Sequence, residues 1–169
     1  MKTFFITIGM IFLGQMLMGQ EFEQMFGQNP EVDMVIITPD MFDLINEVNT
    51  DPERSGFFKE LTYFGMFGST DSQVSSKLIN QAESYARQHQ MKLLLKIKDP
   101  QKEAIFYYTP SDKKGYAREI VLLIHYPEQG KVRMWHIKGN INLRKISLLA
   151  LQRTKIDAGI LKEAEQKAP

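Results

Sequence analysis

The chain predicts an α+β fold: an antiparallel sheet of four to six strands with helices packed on one face, in a split βαβ or ferredoxin-like arrangement. Three observations lead there. An isolated strand-like run, Val32–Thr38, is followed by a helical pattern. The most regular helical periodicity of the chain, Ser69 to Gln90, stands in the middle. Between residues 91 and 138, short apolar runs then follow one another, separated by Pro- and Gly-containing turns, as in a meander.

The elements follow in order. Glu21–Gln28 (EFEQMFGQ) places Phe22, Met25 and Phe26 at helical spacing and predicts a short lead-in helix ended by Gly27. In Val32–Thr38 the run Met34 to Ile37 is apolar on both faces, and Pro39 ends the strand because it has no N–H to give. A helix from about Asp40 is expected to bury Met41, Leu44, Ile45 and Val48, and Asn49–Gly56 (NTDPERSG) reads as a surface loop. Phe57–Gly68 (FFKELTYFGMFG) fits a helix through Phe57, Leu61 and Phe64 and a strand through Tyr63 to Phe67. Its glycines at 65 and 68 sit awkwardly in either.

From Ser69 the pattern is plain. Ser69-Thr70-Asp71-Ser72 offers capping oxygens, and Val74, Leu78, Ala82, Tyr85 and His89 recur at helical intervals, with Gln73, Lys77, Asn80, Glu83 and Arg87 opposite. His89 is expected at the helix C-terminus, where the dipole favours a cation. Three or four strands follow: Met91–Lys98, Glu103–Thr109, Glu119–Tyr126 and Val132–Lys138. Ile120 to Ile124 is continuously apolar, as expected of a strand covered on both faces. A last helix beginning near Asn140 or Asn142 is expected to bury Leu143, Ile146, Leu149 and Ala150.

The first nineteen residues, MKTFFITIGMIFLGQMLMG, have the layout of an export signal. Lys2 makes a positive start, Phe4–Leu13 an apolar stretch, and Gly19 a small exit residue, with cleavage leaving Gln20 first. The apolar run is too short and too interrupted to span a bilayer. The expected organisation is therefore a signal at 1–19, one α+β domain at 20–152, and a polar, partly helical tail at 153–169. The chain has no Cys, which excludes disulfides and attachment of a lipid through Cys. Loss of Lys2 leaves 20 Lys and Arg against 20 Asp and Glu, so the basic excess that nucleic acid or anionic membrane requires is missing.

Motifs for chemistry are mostly absent. There is no phosphate loop, no dinucleotide fingerprint and no Gly-x-Ser-x-Gly elbow. His125 and His136 fall on consecutive strands. A reversal between Glu128 and Gln129 pairs them with Val132 and Val121 instead, roughly 13 Å apart. No metal site, cofactor or catalytic residue is therefore assigned. The candidate binding surfaces are an exposed aromatic patch of Tyr63, Phe64, Met66 and Phe67 and an open sheet face bearing Tyr107 and Trp135.

The signal, the strand Val32–Thr38, and the segments LLLKIKD (93–99), IVLLIHYPE (120–128) and KGNINLRKIS (138–147) together resemble the domain of unknown function family 4252, found in exported proteins of Bacteroidota. The resemblance runs from about Glu21 to Leu151. It implies an envelope or secreted protein and supplies no active-site residues. The expected function is a non-catalytic binding module with an unidentified envelope partner or ligand, the alternative being a secreted hydrolase built on scattered carboxylates.

Overall fold

A computed structural model describes residues 21–48, 60–144 and 146. The proposed signal, the loop Asn49–Gly56, the aromatics Phe57 and Phe58, Leu149, Ala150 and the tail lie outside them, as does the side chain of Val48.

The described elements are α1 (Glu21–Phe26), β1 (Asp33–Ile37), α2 (Pro39–Val48), β2 (Leu61–Ser69), α3 (Ser72–Gln88), β3 (Lys92–Lys98), β4 (Glu103–Pro110), β5 (Tyr116–Tyr126) and β6 (Lys131–Asn142). The strands form one sheet in the order β1-β2-β6-β5-β4-β3, every neighbouring pair antiparallel. The meander β3 to β6 thus folds back from one edge until β6 docks on β2. Alternating polarity makes β2 and β3 parallel, and α3 joins them across the three strands between, a split βαβ unit. The expected α+β class and antiparallel sheet are present.

The helices, however, are not confined to one face. Phe22 and Phe26 of α1 and Val74, Leu78, Ala82 and Tyr85 of α3 pack on Phe67, Val121, Leu123, Val132 and Met134. Strand alternation places the neighbouring positions, Ile120, Ile137 and Phe106, on the reverse face, where they meet Phe42 and Ile45 of α2 and Ile146. The second layer arises because the central strands are apolar at consecutive positions and so have two faces to cover. The phase of α2 also differs from expectation. Phe42 is buried, and Met41 and Leu44 point outward, because the bulkiest side chain of the helix takes the inward stripe.

From Leu61 the ambiguous aromatic segment is strand β2, and Gly65 in it has a local cause. Gly65 lies beneath the Tyr63 phenol: a Cβ there would stand 2.6 Å from the Tyr63 hydroxyl and 2.8 Å from the Phe67 ring. Asp71 caps α3, its Oδ1 accepting from the Val74 N–H at 2.8 Å, and His89 is the C-cap residue. The β5–β6 reversal runs through Pro127–Gln129 to Gly130 at φ 59°, pairing His125 with Val132 and His136 with Val121. Asn142 ends β6 and accepts from the Arg144 N–H at 3.0 Å, at the start of the next helical turn. Among the described residues no helix is long and apolar enough to cross a membrane.

A buried polar cluster as the candidate functional site

At one end of the face covered by α1 and α3, the apolar pattern gives way to polar groups. The register aligns Tyr63 of β2, Lys138 of β6, Glu119 of β5 and Thr109 of β4 in one row. The next row holds Gly65, His136, Val121 and Tyr107. Both rows lie in the regular register of these strands, and the register shifts between Leu61 and Tyr63 and between Ala117 and Glu119 come just beyond them. Tyr85 comes down from α3, and Phe22 from α1.

Glu119 is the hub. One of its oxygens, Oε1, accepts from the Tyr85 hydroxyl at 2.6 Å and from His136 Nε2 at 2.6 Å, and faces the Lys138 ammonium at 3.2 Å. Burial works against a charge here, but the donors from His136 and Tyr85 and the charge of Lys138 outweigh it and hold the carboxyl down at about 2. Burial pushes the Tyr85 phenol well above its usual range, and its hydrogen bond to the carboxylate adds to this. His136 is only 1% exposed; burial holds it below the ordinary histidine value, against the opposing pull of Glu119. Because an ionised Glu119 can only accept, the shared proton sits on His136 Nε2, and Nδ1 carries the lone pair.

Aromatic rings wall the imidazole. Phe22, Tyr63 and Tyr85 present edges to it at centroid distances of 5.2, 5.3 and 5.4 Å. Tyr85 stacks on His89 at 3.9 Å, and His89 Nε2 lies 3.9 Å from Glu21 of α1. Among the described residues, the buried side-chain polar atoms without a hydrogen-bond partner are Glu23 Oε2, Tyr63 Oη, Thr109 Oγ1 and His136 Nδ1. Thr109 belongs to the Glu119 row, Tyr63 touches His136, and Glu23 adjoins Phe22 on α1. Burial, with the charge of Glu23 adding, pushes the Tyr63 phenol up to about 12.

This arrangement fastens α1 to the sheet. The Glu119–His136 pair has the elements of an acid–base dyad, but its free Nδ1 is buried, in a residue only 1% exposed and ringed by Phe22, Tyr63 and Tyr85. Gly65 makes the arrangement possible. Gly65→Ala is expected to displace the Tyr63 ring at a cost of about 1–3 kcal/mol. Ultraviolet titration should then find the Tyr63 phenol moved from about 12 toward the ordinary tyrosine range, with Tyr63→Phe identifying its signal.

The six expected binding residues divide between the two faces. Tyr63, Phe67 and Tyr107 lie on the face of α1 and α3, where Phe67 is fully buried and cannot form part of an exposed patch. Phe64, Met66 and Trp135 share the reverse face, so Tyr107 and Trp135 do not form a common surface. On that face Val35, Met66, Trp135 and Leu122 are register partners in a single row across four strands. Val35 is exposed and the other three half-buried.

Sequence reasoning missed Glu119, Lys138 and Tyr85. The signal was present: Glu119 stands on the inward parity of Val121 and Leu123 in a central strand, where a carboxylate must find donors. The hairpin register that pairs His136 with Val121 also brings Lys138 opposite Glu119. Tyr85 was legible only as part of an apolar stripe, because helical spacing says nothing about where a hydroxyl ends.

The GNINL segment explains itself structurally. Gly139 adopts φ 144°, Asn140 grips Glu60 through its N–H and its side chain at 2.8 Å each, Ile141 is buried, and the Leu143 N–H reaches the Gly115 carbonyl at 3.0 Å. No curated protein and no solved structure showed a match to the chain. A family model, described as a domain of unknown function (DUF4252), matches residues 22–149, most of the chain and every element described above. The chain therefore belongs to the DUF4252 family.

Proposed function

We propose that this protein is an exported, non-catalytic interaction module of the cell envelope, and that it binds a protein partner through the reverse face of its sheet. The observation that carries this reading is the apolar row Val35–Met66–Trp135–Leu122, half-buried on its inner strands and exposed at Val35 on the edge strand. A Trp and a Met beside an exposed Val are the residue types that interface centres favour. The strongest grouping of ionisable side chains is committed to its own internal contacts, which supports binding over hydrolysis. The sequence of residues 1–19 supports export, with Gln20 as the first residue of the mature chain.

Trp135 is the single tryptophan, so its emission reports directly on the row. A partner retained from a native envelope extract should shift that emission to shorter wavelength on binding, and Met66→Lys should abolish retention while leaving the far-ultraviolet spectrum unchanged. Turnover on a panel of envelope substrates, lost in Glu119→Gln, would overturn the reading.

A further inference from the structure

The two edges of the sheet carry opposite charge. From Glu31 to Val48, the segment that holds the β1 edge and the helix after it, the sequence contains five Asp and Glu and no Lys or Arg. From Lys92 to Lys102, around the β3 edge, it contains four Lys and one acid, Asp99, with Lys96 paired to Glu103 of β4 at 2.9 Å. A mature chain that is neutral as a whole is thus strongly polarised from edge to edge. Both edges are also apolar at their centres: Met34 and Val35 are 36% and 44% exposed on β1, and Leu93 and Leu94 are 55% and 36% exposed on β3. Neither strand has a partner on its outer side among the described residues.

Open edge strands with exposed apolar side chains are ready templates for pairing, and charge decides with what. A β1–β1 contact between two copies would set acid against acid, and a β3–β3 contact would set lysines against lysines. A β1–β3 contact joins opposite charges around two apolar centres. Strand polarity agrees. With six strands alternating in direction, β1 and β3 run antiparallel, so a copy displaced along the sheet continues the antiparallel ladder with its helices on the same faces.

We infer that the occupant of each edge is a second copy of this chain, β1 of one copy pairing with β3 of the next. This rests on the reading of the domain as an interaction module and adds a second contact to it, separate from the partner of the reverse face. The contact is head-to-tail, so it extends into rows instead of closing as a two-fold dimer. Its charge component is exposed and screened by salt, where the Debye length falls from about 30 Å at 0.01 M to about 8 Å at physiological strength.

The test is the mass distribution in analytical ultracentrifugation of protein expressed from the full chain and purified as its host processes it. The wild type should gain mass with concentration, and lose that gain as salt is raised. Val35→Lys blocks the β1 edge and Leu93→Glu the β3 edge. Both side chains are exposed, so circular dichroism should report intact folds. Each variant alone should be monomeric, and mixing the two should restore association, because one brings an intact β3 and the other an intact β1. Met66→Lys, on an inner strand, should associate like the wild type.

A wild type that stays monomeric at every concentration overturns the inference. So does a Leu93→Glu variant that associates alone, which marks a two-fold β1 contact, or a mixture that fails to reassociate. A monomeric wild type that still binds an envelope protein through Met66 and Trp135 refutes self-assembly and leaves the interaction reading standing. Catalytic turnover removes that reading, whatever the mass.

Discussion

Glu119→Gln is expected to cost about 3 kcal/mol at neutral pH and to flatten the acid limb of the stability profile. The carboxyl titrates near 2 in the folded chain against the ordinary glutamate value when unfolded, and each unit of that difference is worth about 1.4 kcal/mol. The folded value is the lower one. The contribution is therefore fully present above about pH 5 and is lost as the pH falls toward 2, where the unfolded chain holds the extra proton. His136 works in the same direction from a higher starting point: it is depressed in the fold, so the unfolded chain takes up its proton first as the pH drops through the histidine range. The amide keeps the shape of Glu119 and an acceptor oxygen for His136 and Tyr85, but removes the charge that faces Lys138 and strengthens both hydrogen bonds. Denaturant midpoints from pH 7 to 2 should find the wild type and variant far apart at neutrality and converging at the acid end. For a chain of this size the gap at pH 7 corresponds to roughly 6–12 °C in Tm. Parallel curves would mean that the carboxylate does not hold the cluster together.

The sequence made the meander legible because its signals are local: alternation in Lys92–Lys98, turn residues at Asp99-Pro100 and Pro127–Gly130, and continuous apolar character in Ile120–Ile124. Even the separation of His125 from His136 followed from one hairpin register. What failed depended on contacts between distant segments. Periodicity placed Met41 and Leu44 inside because it weighs apolar residues nearly alike. Only the reverse face of the sheet, two elements away, determines that Phe42 takes the inward position. The same limitation split the expected aromatic patch: residues 63, 64, 66 and 67 are neighbours in sequence, but a strand sends them alternately to opposite faces. The polar cluster needed four strands and two helices to assemble, and no window along the chain contains it.

Gly139→Ala is expected to cost about 3–5 kcal/mol, adding backbone strain to a steric clash. At φ 144° an L-residue is strained whatever its surroundings. Here the new Cβ would also run into the Glu60 carbonyl oxygen and lie 2.7 Å from Leu61 Cα, both backbone atoms that cannot turn aside. The chain must then open between β6 and the start of β2, where Asn140 grips Glu60. The register shift between Leu61 and Tyr63 also falls here, beside the Tyr63–Lys138 pair. Hydrogen exchange should report loss of protection at Leu61 to Tyr63 first, with the Tyr63 phenol titrating nearer its ordinary value. Acid separates this damage from that of Glu119→Gln. The clash at Gly139 involves no titrating group, so the deficit of Gly139→Ala should persist at pH 3 and below, where that of Glu119→Gln is fading. A Gly139→Ala deficit that shrank in parallel with that of Glu119→Gln would instead make the glycine a mere spacer for the Glu119 cluster, and the sharp backbone approach to Glu60 would carry no stability of its own.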